Sequence, residues 1–163
     1  MIRPVEKVTA YIGLGGNIGD RRATLTRALD MLDGRDDVSV RRVSDFIETE
    51  PIGRSAQDRY LNAAAEIKTS LGPRELLAVL HEVEAALGRN RELEGHWGPR
   101  TCDLDLLLYG ALVEQADDLK LPHPYIQERP FVLEPLAQIA PDVVHPTINK
   151  TIAELWSELR GRP

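Results

Sequence analysis

Apolar residues recur along the chain at two spacings, and each spacing predicts a type of secondary structure. Alternation of apolar with small or polar residues is typical of a β-strand, in which successive side chains point to opposite faces. It predicts four strands, at residues 8–14, 38–47, 61–69 and 103–109. Apolar residues three and four positions apart follow one face of an α-helix. They predict one helix from Asp20 to about Met31 or Leu32, and a second from Pro73 to Gly88.

Residues suited to helix ends support these two helices. The Asp20 carboxylate can accept a hydrogen bond from a free amide of the first turn. Pro73 suits the first turn of the second helix, and Gly88 suits its end. Two further helices are predicted at residues 129–139 and 151–159. The order β-α-β-β-α-β predicts a ferredoxin-like α+β core, an antiparallel sheet with helices packed on one face, followed by C-terminal helices.

Composition and charge exclude several classes of protein. The 163 residues, 42% of them hydrophobic, predict a single domain over residues 1–163 that builds its core without disulfides. The single cysteine, Cys102, excludes an intrachain disulfide and a cysteine-rich zinc site, and favours a cytoplasmic location. We expect no secretory signal and no transmembrane helix. The net charge of −6 argues against nucleic acid as a partner. We expect small-molecule partners, no membrane contact and a monomer.

An arginine-rich loop precedes the fourth predicted strand. It contains Arg89, Arg91 and Arg100, whose planar guanidinium groups match the oxygens of a phosphate. Trp97 stands in the same polar loop, where it buries little surface unless a ligand or a closing segment docks against it. The alternative is a solvated loop in which the arginines form weak ion pairs with neighbouring glutamates.

Two carboxylates, Asp103 and Asp105, begin the fourth strand. Residues two apart on a strand share a face, so both carboxylates should lie opposite Leu104, Leu106 and Leu108, which we expect in the core. Such a pair can hold Mg²⁺, which binds one or two carboxylates together with substrate phosphates. Arginines and Mg²⁺ around a polyphosphate are typical of phosphoryl transfer. The alternative is a solvated sheet face with no ligand.

Three further features suggest a ligand site. The glycine-rich turn at residues 13–20 lies between a strand and a helix and fits neither the dinucleotide fingerprint nor the Walker A loop. We expect it to let a ligand approach the backbone. Asn62 offers donors and an acceptor to the amide-like edge of a heterocycle, and Tyr60 can stack on it. His123 stands between two prolines, a rigid setting that suits a positioned side chain.

Taken in order, five segments resemble one family, the 6-hydroxymethyl-7,8-dihydropterin pyrophosphokinases of folate biosynthesis. The segments are residues 10–20, 44–53, 58–64, 97–110 and 121–142. The resemblance implies a ferredoxin-like fold and a pyrophosphokinase that moves pyrophosphate from ATP to the hydroxymethyl oxygen of a reduced pterin. It also implies attack at the β-phosphorus and release of AMP. The alternatives are another Mg²⁺-dependent phosphotransferase or phosphohydrolase, or a regulatory binding module without turnover.

The resemblance also implies roles for individual residues. Two Mg²⁺ ions would be held by Asp103 and Asp105 and would bridge the phosphates of ATP. The catalytic set would be Arg89, Arg91, Arg100, Asp103 and Asp105. The residues expected at ATP are Glu84, Arg91, Arg100, His123 and Arg129. The residues expected at the pterin are Thr49, Ile52, Tyr60, Asn62, Trp97 and Phe131. Of these, Tyr60 and Phe131 would stack on the ring, and Trp97 would belong to the loop that closes over it.

Overall fold

The structure is a computed structural model that describes residues 6–17, 19–49, 59–88 and 102–162. Predictions made for Ile52, Arg89, Arg91, Trp97 and Arg100 lie outside these residues. Within the described ranges, every helix is too short or too polar to cross a bilayer.

Five strands form the main sheet. They are β1 Val8–Gly16, β2 Val38–Val43, β3 Ile47–Thr49, β4 Tyr60–Thr69 and β5 Asp103–Tyr109. The order across the sheet is β2-β4-β1-β5, with β3 also paired to β4, and every pairing is antiparallel. The first and third predicted strands therefore lie at the centre. This is the ferredoxin-like arrangement that the order of elements predicted.

The predicted strand at residues 38–47 is interrupted at Ser44, so it forms β2 and β3 instead of one strand. The Ser44 amide donates to the Ala64 carbonyl oxygen at 2.9 Å. The Ala64 amide in turn donates to the Ser44 hydroxyl oxygen at 2.8 Å, where a regular ladder would supply a carbonyl. The serine side chain thus provides the hydrogen-bond acceptor that the Ala64 amide of β4 needs. The backbone next to Ser44 no longer pairs with β4 there. Apolar alternation cannot reveal this exchange of acceptors.

The two helices of the predicted core pack on one face of the sheet. They are α1 Arg21–Asp33 and α2 Pro73–Ala86. The Asp20 side chain accepts a hydrogen bond from the Ala23 amide at 3.1 Å, which confirms the predicted start of α1. These helices and the sheet enclose a first apolar cluster, whose fully buried members include Leu25, Leu32, Ile67, Leu76, Leu80 and Leu104.

The C-terminal helices cover the opposite face. They are α3 Pro130–Ile139 and α4 Ile152–Arg160. They enclose a second apolar cluster, which includes Tyr11, Leu107, Leu108, Leu133, Leu136 and Ile152. The expectation of helices on one face therefore holds for the core motif, but the whole chain has helices on both faces. The central strands carry apolar side chains on each face, and only a second layer removes both sets from water.

A β-bulge divides β5. Tyr11 pairs with Leu108 but the next residue, Ile12, pairs with Leu106, so Leu107 is the extra residue. Leu104 and Leu106 lie in the first cluster, as predicted, whereas Leu107 and Leu108 both lie in the second. The prediction that Leu108 shares the face of Leu104 was therefore wrong, because the bulge reverses the alternation. The aspartates precede the bulge, so they keep the face predicted for them.

A short hairpin not predicted from the sequence follows β5. Its strands are β6 Glu114–Gln115 and β7 Lys120–Leu121, and a 3-10 helix at Ile126–Glu128 comes after it. The His123 amide donates to the Leu107 carbonyl oxygen at 2.9 Å, on β5. This return of the chain to β5 brings His123 towards the two aspartates.

Candidate active site

Three neighbouring strands place Asn62, Gly15 and Asp103 side by side. Gly15 on β1 pairs with Asn62 on β4 and with Asp103 on β5. Directly paired residues of an antiparallel sheet have their side chains on the same face. At a strand spacing of about 4.8 Å, the Cα atoms of Asn62 and Asp103 lie about 10 Å apart. An amide and a carboxylate thus face the same space, with a residue that has no side chain between them.

The two aspartates lie together at the start of β5. Both are half-buried, and they lie opposite the buried Leu104 and Leu106. Their Cα atoms are about 7 Å apart, the distance that two strand residues span. Within the described residues, no third His, Cys, Asp or Glu completes a metal-sized cluster with them. A pair of carboxylates suits Mg²⁺, which keeps its other positions for water and substrate phosphates.

Three of the residues predicted for the pterin, namely Thr49, Tyr60 and Asn62, lie together at the other end of this row. Asn62 is 8% exposed, and its Nδ2 donates to the Thr49 hydroxyl oxygen at 2.5 Å. Tyr60 pairs directly with Thr49, and it lies two residues before Asn62 on β4. Tyr60 and Asn62 therefore share the face of the aspartates. The hydrogen bond holds the Asn62 amide in one orientation, which suits it to recognise a planar polar edge.

The segment after β7 brings a histidine close to Asp103 and to Arg129. Burial lowers the pKa of His123 to about 4, the positive charge of Arg129 adds to this, and the negative charge of Asp103 partly opposes it. The Arg129 guanidinium lies 4.9 Å from the centre of the Tyr125 ring and 5.8 Å from that of Phe131. Arg129 and Asp103 are thus both close enough to act on His123, and His123 is neutral at pH 7.

Glu84 lies beneath β5 and not on the face that carries the aspartates. It is 1% exposed on α2, and its Oε2 accepts a hydrogen bond from the Leu104 amide at 2.8 Å. Leu104 stands between the two aspartates, so the contact ties their backbone to α2. The sequence contains a signal for this role, since Glu84 continues the i, i+4 series of Leu76 and Leu80 on the buried face. A buried carboxylate needs a hydrogen-bond partner.

Arg21 was not predicted as a site residue, and it contacts Glu48 and Arg59, which flank residues 50–58. It donates to Glu48 Oε1 at 2.5 Å and to the Arg59 carbonyl oxygen at 2.8 Å. The hydrogen bond from Arg21 also lowers the pKa of the Glu48 carboxyl. A cavity of about 320 Å³ lies beside this contact. Its lining includes Phe46 and Leu61 but neither Asp103 nor Asp105.

Sequence comparisons match the chain to one family. The model described as 7,8-dihydro-6-hydroxymethylpterin-pyrophosphokinase (HPPK) matches residues 11–141. A Bacillus subtilis protein named 2-amino-4-hydroxy-6-hydroxymethyldihydropteridine pyrophosphokinase is 48% identical over 134 residues, 82% of this chain and 79% of that protein. A protein of the same name from Methylorubrum extorquens is 45% identical over 148 residues, 90% of this chain and 92% of the relative.

Solved structures agree in fold. The crystal structure of Plasmodium falciparum HPPK-DHPS with pteroate superposes with a TM-score of 0.73 at 14% identity. The match covers 97% of this chain and 43% of that longer one. At 14% identity the structural similarity establishes a shared fold only. Membership of the family rests on the sequence relatives.

Proposed function

The chain belongs to the 7,8-dihydro-6-hydroxymethylpterin-pyrophosphokinase family, and we propose from that membership how its own residues carry out the reaction. The protein transfers a pyrophosphoryl group from ATP to the hydroxymethyl group of 6-hydroxymethyl-7,8-dihydropterin, a step of folate biosynthesis. The family predicted from the sequence motifs is thereby confirmed. The hydroxymethyl oxygen attacks the β-phosphorus, and AMP leaves.

The row formed by Asn62, Gly15 and Asp103 is the observation that carries the assignment of roles. The Cα atoms of Asn62, which carries the amide, and of Asp103 lie about 10 Å apart, across two strand spacings. The pterin ring lies at the Asn62 end and the phosphates lie at the Asp103 end. The hydroxymethyl arm then points along the row towards the phosphates. Holding two reactants in line in this way removes much of the entropy cost of their encounter.

At the pterin end, Asn62 pairs with the polar edge of the ring, and Thr49 holds the Asn62 amide in place. Tyr60 and Phe131 stack on the two faces of the ring, as planar aromatic groups favour. Thr49 and Ile52 also contribute backbone groups to the pocket. Trp97 belongs to the loop that closes over the ring.

At the phosphate end, Asp103 and Asp105 provide the oxygen ligands for Mg²⁺, two ions in our proposal. Bound there, Mg²⁺ neutralises the charge that develops on the transferring group. His123 and Arg129 lie beside Asp103 and contact the phosphates of ATP from that side. Three loop arginines complete the charge stabilisation, namely Arg89, Arg91 and Arg100.

Glu84 acts in this proposal through the backbone and not through contact with ATP. Its carboxylate binds the Leu104 amide from below the sheet. Because Leu104 lies between the two aspartates, this contact fixes the strand from which both carboxylates project. Glu84 is thus a positioning residue for the metal ligands.

We also propose that residues 1–163 form a single pyrophosphokinase domain that acts as a cytoplasmic monomer. Its partners are then the reduced pterin and ATP, with neither nucleic acid nor membrane involved. Light scattering at working concentrations tests the monomer, which predicts a mass near 18.2 kDa.

A product analysis tests the function. The protein is incubated with ATP, Mg²⁺ and 6-hydroxymethyl-7,8-dihydropterin, and nucleotides and pterins are separated by chromatography. We expect AMP and pterin diphosphate in equal amounts, and only when both substrates are present. Asp105→Ala serves as the matched control for contaminating kinases, because it removes a proposed metal ligand.

Two outcomes would contradict the proposal. ATP consumed at the same rate without pterin would indicate a phosphohydrolase. Pterin binding without any change in the nucleotides would indicate a regulatory module.

A further inference from the structure

Gly15 occupies a place in the sheet that has no room for a side chain. A Cβ atom built on Gly15 would lie 2.9 Å from the Asn62 Oδ1 atom, closer than Cβ atoms come in real structures. Gly15 is also the residue between Asn62 and Asp103 in the cross-strand row. The Asn62 amide therefore extends over β1 into the volume that any other residue at position 15 would fill.

The requirement for glycine at position 15 comes from space and not from the backbone. The glycines with positive φ among the described residues are Gly19, Gly88 and Gly110. Gly15 instead lies in a regular part of β1, paired on both sides, where any residue can adopt the backbone conformation. What glycine supplies here is the absence of Cβ.

We propose that Gly15 determines how the pterin is bound, because its missing side chain lets the Asn62 amide lie over β1 and face the substrate. This inference rests on the proposed function, in which Asn62 recognises the pterin. It adds a positioning residue that acts on the pterin through Asn62 and does not itself supply a polar group.

The contacts of Asn62 explain why a methyl group at position 15 should disturb binding more than folding. The clashing atom is the end of a short side chain, which can rotate away while both strands stay in place. Rotation would break the bond from Nδ2 to the Thr49 hydroxyl and turn the amide out of the row. The sheet keeps its ladder and the site loses its oriented donor and acceptor.

Gly13 offers a matched control on the same strand and the same face. The structure places it inside β1, paired on both sides, and not in the turn predicted at residues 13–20. A Cβ atom on Gly13 would lie 3.6 Å from the two δ-carbons of Leu107, an ordinary van der Waals distance. Gly13→Ala and Gly15→Ala therefore make the same chemical change two residues apart. Only the second displaces Asn62.

The experiment measures binding of 6-hydroxymethylpterin by calorimetry, with Mg²⁺ and an ATP analogue whose α,β-bridge is a methylene group. Gly15→Ala should weaken pterin binding by about tenfold or more, as expected for losing a buried hydrogen-bonded pair. Gly13→Ala should change it by less than about threefold. Both variants should bind the ATP analogue like the parent and melt within about 4 °C of it, a shift of roughly 1 kcal/mol.

A double-mutant cycle separates action through Asn62 from a direct clash with the ligand. In an Asn62→Ala background, Gly15→Ala should have little further effect on pterin affinity. An equal effect in both backgrounds would overturn the proposal, as would unchanged pterin binding or a large loss of stability in Gly15→Ala. Failure of the proposed function would look different, because the parent protein itself would then form no AMP.

Discussion

We expect the contact between Glu84 and the Leu104 amide to support both the stability of the protein and the geometry of the proposed metal site. We consider two substitutions, Glu84→Ala and Glu84→Gln. Alanine removes the acceptor and leaves a buried amide without its 2.8 Å partner. Glutamine keeps an oxygen acceptor of nearly the same shape and removes only the charge.

The structure sets the size of the effect. Hydrogen bonds to charged groups contribute about 1.5–3 kcal/mol, and leaving a buried donor unsatisfied costs about 1–3 kcal/mol. We therefore expect Glu84→Ala to lower the free energy of unfolding by about 2–4 kcal/mol. For a chain of this length that corresponds to a fall in melting temperature of about 4–16 °C. Glu84→Gln should lose about half as much, because the acceptor remains.

Urea unfolding followed by circular dichroism gives the stability, and an Mg²⁺ titration of the pyrophosphokinase rate gives the effect on the site. Glu84→Ala should raise the Mg²⁺ concentration for half-maximal rate, because Asp103 and Asp105 flank the residue that loses its anchor. Glu84→Gln should lie between the alanine variant and the parent in both measurements. A parent-like urea midpoint and Mg²⁺ dependence in Glu84→Ala would refute the reasoning. A loss of stability with unchanged Mg²⁺ dependence would refute the positioning role alone.

The other predictions concern separate parts of the molecule. Asp105→Ala should lower kcat by about a hundredfold or more with a melting temperature within about 4 °C of the parent; parallel losses of activity and stability would contradict a metal ligand. The pKa of His123 is lowered to about 4, so phosphate charge should raise it and ATP binding near pH 6 should take up a proton. Calorimetry in buffers of different ionisation enthalpy measures the number of protons taken up on ATP binding. If no proton is taken up, this would argue against contact between His123 and the phosphates. Burial also lowers the pKa of His145, so the unfolded chain binds more protons below about pH 6.5. The melting temperature should fall as the pH falls through that range, and less so in His145→Asn. Ser44→Ala should cost about 1–3 kcal/mol in urea unfolding because the Ala64 amide loses its acceptor, and a parent-like midpoint would show that water replaces the hydroxyl.

Short-range patterns account for what could be predicted from the sequence. Asp20 caps α1 and Pro73 begins α2 because each acts on the backbone of its own first turn. Asp103 and Asp105 share a face because the period of a strand is two residues. The order of elements narrowed the fold to the ferredoxin-like arrangement, since few ways of connecting such elements bury every apolar face. The ordered motifs identified the family, and so the reaction.

The tertiary structure decided the features that depend on partners distant along the chain. The break at Ser44 and the bulge at Leu107 follow from which strand lies alongside, and apolar alternation alone does not locate either of them. The hydrogen bond from Leu104 to Glu84 spans 20 residues. The need for glycine at position 15 exists only because β4 brings Asn62 against it. Residue type determines which chemical groups a chain carries, and local period determines which face each takes as long as no bulge intervenes. Packing determines what each group contacts and where a bulge forms.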